Sequence, residues 1–179
     1  MSPENSEVQL TLAARITAKI TTTTSLWCLF VGTIVITFCF PVVTSIWGIT
    51  LIDPISSPDE VRAVIKGMSE QQRLVHAWTT ATLDVAYPLV YGTLFAAVAL
   101  RFFPTYGGYL ALLPLAAIPV DLVEGVVQIL ALTGTADFVD AKAVITPIKS
   151  SLFGFGFFVS IAAWIRWAYF RIFSSSKPG

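Results

Sequence analysis

The chain has 179 residues, of which 55% are hydrophobic and 12% charged, and its net charge is zero. Its mean hydropathy is +0.77. A soluble domain carries about 25% charged residues, so this composition leaves too little polar surface for a water-facing globule and excludes a soluble enzyme. It also offers no basic patch interleaved with aromatics, which excludes nucleic acid as a partner.

The missing charge is concentrated in four long apolar stretches, the pattern of bilayer spans. Before them, residues 1–23 read as an amphipathic segment. Ser2-Pro3-Glu4 is a helix start, with proline at the first position and an acid in the first turn. Val8, Leu12, Ile16 and Ile20 then recur every four residues, flanked by Arg15 and Lys19. That pattern predicts a helix lying on the membrane surface. About two dozen residues precede the first apolar stretch, which is longer than a signal-peptide core, so it reads as a retained span.

The first span is expected at about 25–52. Pro41 should kink it, and Asp53-Pro54 should stop it. Cys28 and Cys39 both fall within it, about 16 Å apart along one helix, too far to bridge. They read as small hydrophobes. Residues 53–68 form a polar loop with one short helix, capped by Ser57, opened by Pro58 and ended by Gly67. Ser69 with Gln72 makes a capping-box pattern. The helix it starts can run unbroken to Arg101, with a membrane part at 77–100. Pro104 and Gly107-Gly108 mark a short turn before the third span, 109–132. A second polar loop covers 133–146. Thr146-Pro147 opens the fourth span, 147–172. The fold class is therefore an all-α membrane protein: one domain over 1–179, a four-transmembrane-helix bundle with an N-terminal amphipathic helix.

Lysine and arginine set the orientation. Arg15, Lys19, Arg101, Arg166, Arg171 and Lys177 fall on the side of the termini. Arg62, Lys66, Arg73 and Lys142 fall on the other, with Lys149 at a helix edge. The bias places both termini in the cytoplasm, in a plasma or inner membrane or an endomembrane.

Ionisable residues within spans are costly, at least ~2.5–3.5 kcal/mol each on insertion scales, and are tolerated when they face the bundle interior. Asp84, Asp121, Glu124 and Lys149 are such residues. Asp84 and Glu124 both lie roughly 10–12 Å from the side opposite the termini. Asp121 is one turn deeper, and Lys149 can extend its stem inward. Asp121, Glu124 and Gln128 share one helical stripe. His76, Thr80, Asp84, Tyr87 or Pro88, and Tyr91 make another. Pro88 cannot bond the Asp84 carbonyl, which leaves a free acceptor beside the acid. Lys149, in the first turn of its helix, should pair with Glu124 or Asp121 to offset the helix dipole. His76, with no second histidine or cysteine beside it, supports no metal site. Beside Trp78 it reads as an interfacial histidine. Gly154 and Gly156 should allow a neighbouring helix to approach closely.

Asp53 after the first span, followed by Trp78, Asp84 and Pro88 in the second, resembles the four-span membrane family that includes the sigma-2 receptor and sterol isomerases. The resemblance extends to length and helix count, and implies acids in an intramembrane pocket. It covers a minor part of the chain. Asp121 and Glu124 depart from the family's pattern, so it assigns no residue a role.

The functional expectation is a membrane binding protein whose acid-lined pocket takes a small cationic or amphipathic ligand, or a proton. Its candidate ligand-binding residues are His76, Asp84, Tyr87, Tyr91, Asp121, Glu124, Gln128 and Lys149. Three acids against one lysine favour a bound cation or proton, although a purely structural polar network would use the same residues. An accessory subunit of a larger membrane complex, with protein partners or copies of itself, is the alternative. A lipid- or sterol-modifying enzyme using a buried carboxylate is another. No cofactor is named by the sequence, and no catalytic residue.

Overall fold

The computed structural model describes residues 3–173, with side chains from Leu12 to Arg171. Ser2, the Val8 side chain and Lys177 lie outside what is described. Every element is helical: α1 (Pro3–Ile20), α2 (Thr23–Trp47), α3 (Pro58–Gly67), α4 (Glu70–Phe102), α5 (Gly107–Leu132), a short 3-10 turn (Val139–Ala141) and α6 (Lys142–Phe173). Among the described residues four helices, α2, α4, α5 and α6, are long and apolar enough to cross a membrane.

Local chemistry sets most boundaries. The Thr22 hydroxyl accepts the Ser25 N–H at 3.2 Å, capping the start of α2. α2 ends at Trp47, five residues before its expected stop. Gly48 takes the left-handed conformation, φ 59°, which glycine adopts without the usual steric cost. The chain beyond it folds back, and Ile49 and Ile52 are buried. This turn carries Asp53 inward.

The expected capping box forms. Ser69 Oγ accepts the Gln72 N–H at 3.2 Å, and Gln72 Oε1 accepts the Ser69 N–H at 3.0 Å. The amide of Gln72 also donates to the Gly48 carbonyl at 3.0 Å, tying the start of α4 to the end of α2. α3 starts on Pro58 after an extended Ser57, whose side chain makes no cap. A Cβ at Gly107 would lie 2.6 Å from the Ala99 carbonyl oxygen, so only glycine fits this α4–α5 turn.

α6 begins at Lys142, five residues before Pro147. The fourth helix was expected to open at Thr146-Pro147. Pro147 lies past the first turn of α6 and forfeits only the one backbone bond to the Ala143 carbonyl. The helix therefore extends upstream past it.

α4 is the central helix and packs against α2, α5 and α6. Tyr91, Leu94, Phe95 and Val98 of α4 are buried with Ala117 and Ala163. Gly156 touches this core: a Cβ there would lie 2.6 Å from Phe95, whereas one at Gly154 would meet nothing within 4 Å. Of the two glycines, only Gly156 permits close approach. α2 has no buried residue and rests on the outside through Leu26 and Leu29.

The two ends are tied differently. At the end opposite α1, Arg62 of α3 donates to Asp137 at 2.8 and 3.2 Å and to Asp140 at 3.0 and 3.1 Å. Both longer loops thus meet at one end. The guanidinium holds the Asp137 carboxyl below its ordinary range, and the two acids raise the Arg62 pKa further. At the other end Arg101 donates to the Thr21 carbonyl at 3.0 Å and to Thr23 Oγ1 at 2.9 Å.

Candidate functional site

α4 and α5 turn their polar stripes toward each other. Thr80 lies opposite Gly125, with 3.5 Å between the Thr80 methyl and a Cβ built on that glycine. His76, Thr80, Asp84 and Tyr91 on α4, and Asp121, Glu124 and Gln128 on α5, are all buried. The third contributor is the first turns of α6.

Glu124 is fully buried and ion-pairs with both Lys142 and Lys149. It also accepts a hydrogen bond from the Thr146 hydroxyl. Lys149 Nζ lies 3.2 Å from Asp121 and 3.5 Å from Asp53. It therefore pairs with both acids expected of it and with one that was not. Lys149 sits two turns inside α6, not in its first turn, so the helix-dipole reason for its pairing does not hold. The Tyr91 hydroxyl donates to Asp121 Oδ2 at 2.8 Å. The Gln128 amide donates to Asp53 Oδ1 at 3.0 Å.

His76 departs from its expected place. It is completely buried, and Nε2 accepts the Ile52 N–H at 3.3 Å. The inward fold of residues 49–53 covers the histidine, which holds that loop and is not an interfacial side chain. Its neighbour Trp78 is 65% exposed.

A cavity of about 460 Å³ opens onto this layer. Asp53, Asp84, Asp121 and Lys149 form its polar wall, and Phe40, Tyr87, Tyr91 and Phe153 its aromatic wall. The rings are mutually packed, with centroids 5.1 Å apart for Tyr87–Tyr91 and 4.9 Å for Tyr91–Phe153. Five of the eight candidate residues line the cavity: Asp84, Tyr87, Tyr91, Asp121 and Lys149. Glu124, Gln128 and His76 stand behind it, Glu124 holding Lys149 and Gln128 holding Asp53.

Among the described residues Asp84 is the one acid of this layer without an ion pair. It is 9% exposed and lines the cavity, and its buried Oδ2, like that of Asp53, has no hydrogen-bond partner. The two lysines are held by Glu124, Asp121 and Asp53. Four carboxyl groups thus share a layer with two ammonium groups. Such an excess in a low-dielectric interior calls for a proton or a further cation.

Sequence reasoning missed Lys142, Thr146 and Asp53. Lys142 falls within the polar loop expected at 133–146, but it is fully buried at the start of α6. A signal was present: Lys142, Thr146 and Lys149 are four and three apart, one stripe of a helix. Taking Pro147 as the helix start hid it. Asp53 carried no such signal, because its position depends on the Gly48 turn.

Comparisons with family models, with curated proteins and with solved structures gave no match. The resemblance noted above rests on its quoted residues alone.

Proposed function

We propose that this chain is a membrane-spanning binding protein that holds a small amphipathic amine in the α2–α4–α5–α6 cavity. The observation that carries this reading is the Asp84 carboxyl, buried without a hydrogen-bond partner at Oδ2, facing an aromatic-walled space. An ammonium group can use that carboxylate as a charge-assisted acceptor. The faces of Tyr87, Tyr91, Phe40 and Phe153 supply cation–π attraction and an apolar wall for the remainder of the molecule. Lys149, already held by three acids, keeps the opposite side of the site ordered and repels a second cation.

In this reading α2, α4, α5 and α6 cross the bilayer with both termini in the cytoplasm, and α1 lies along the surface. The loop end then faces the other side, and the cavity sits within the layer nearest it.

Thermal unfolding of the purified protein with octylamine and with octanol tests the proposal. The amine is expected to raise the melting temperature and the alcohol to do so far less. Asp84→Asn should keep the fold and weaken amine binding by roughly ten- to a hundred-fold, the worth of one hydrogen bond to a charged group. Equal stabilisation by both compounds, unchanged in Asp84→Asn, rejects it.

A further inference from the structure

We infer that a second site, at the loop end between α3 and the start of α4, binds a phosphate group. A separate cavity of about 260 Å³ lies there, smaller than the ~300–1,000 Å³ of drug-sized ligand sites. Three cations line it, Arg62, Lys66 and Arg73, against one carboxylate, Asp137.

The charges are not equally engaged. Asp137 gives both oxygens to Arg62, which also holds Asp140. Lys66 and Arg73 make no ion pair with any described residue. Arg73 is half-buried, and its Nε is enclosed without a hydrogen-bond partner. A donor in that state has lost water without gaining an acceptor, which is unfavourable. An anion in the cavity would satisfy it. A phosphate oxygen suits a guanidinium by geometry and an ammonium by charge.

The other walls are apolar, Ile65, Ala131 and Val139. Arg73 stands in the first turn of α4, and exposed Trp78 lies just over one turn further along. Tryptophan is enriched at the membrane–water boundary. A phosphate carried on an acyl-chain lipid would meet both the cations and the apolar wall, whereas a free phosphate would meet only the cations.

The test measures thermal stability of the detergent-purified full chain with three additives: phosphatidic acid, diacylglycerol of the same acyl composition, and inorganic phosphate. Phosphatidic acid should raise the melting temperature and diacylglycerol should not. A parallel rise with inorganic phosphate means that the anion alone suffices. A rise with phosphatidic acid alone means that it is held as a lipid headgroup. Arg73→Gln with Lys66→Gln should weaken the effect by about tenfold or more. Lys66→Glu, at an exposed position that cannot disturb the core, should weaken it as well. The inference is overturned by equal stabilisation with diacylglycerol, by an effect unchanged in both variants, or by no response to either phosphate compound.

Discussion

Glu124 and Lys142 form an ion pair in which neither side chain is accessible to solvent. Breaking such a pair leaves one charge buried alone, which costs about 3–5 kcal/mol. Lys142→Met and Glu124→Gln are each expected to lower stability strongly in detergent unfolding. The combination Lys142→Met with Glu124→Gln should cost less than the two single losses added together. Additive losses would show that the two side chains are not coupled.

Tyr91 joins the aromatic wall to the acid layer through its 2.8 Å bond to Asp121. Tyr91→Phe keeps the ring and removes the donor. A loss of about 1.5–3 kcal/mol is expected, as for a hydrogen bond to a charged group. Unfolding of the variant in the same detergent checks this, and unchanged stability would mean that the bond does not form.

Gly156 faces the Phe95 ring, with Pro114 also within 3.1 Å of a Cβ built there. Gly156→Val should push α6 away from α4 at a cost of about 1–3 kcal/mol. Gly154→Val, where nothing lies within 4 Å, should be nearly neutral. Similar melting temperatures for the two variants would contradict the packing described.

The clamp between Arg62 and Asp137 should depend on pH. Asp137 has its pKa lowered by Arg62, so its contribution is present above the unfolded carboxylate value, about 3.9. That contribution is lost as pH falls through the lower, folded value. Both partners are substantially exposed, so the effect is small and screened by salt. Hydrogen exchange of residues 133–138 should quicken in acid in the native chain beyond the intrinsic rate. That acid sensitivity should be absent in Arg62→Gln, and an identical profile in the two would contradict the clamp.

Much of the architecture was legible because apolar runs and caps are local signals. Ser69 with Gln72 marks α4, and the uncharged stretches mark the four long helices. The α4 and α5 stripes follow from helical spacing, which is why Asp84, Asp121, Glu124 and Tyr91 could be grouped. What was not legible depends on how loops return. Gly48 ends α2 early, and the refolded chain brings Asp53 and Ile52 onto Gln128 and His76. Pro147 resembles a helix start while the helix runs past it, so Lys142 reads as part of the polar loop 133–146. No periodicity encodes the Gly48 turn, whereas the Lys142, Thr146 and Lys149 spacing does carry the helix past Pro147.

The central claim is that an amine sits against Asp84. A diazirine-bearing alkylamine, cross-linked to the protein in liposomes and mapped by mass spectrometry, locates it directly. The account predicts adducts on Phe40, Tyr87, Tyr91 or Phe153, displaced by octylamine but not by octanol, and lost in Asp84→Asn. Adducts confined to outward-facing residues such as Trp27 and Phe38, and equal in Asp84→Asn, would contradict it.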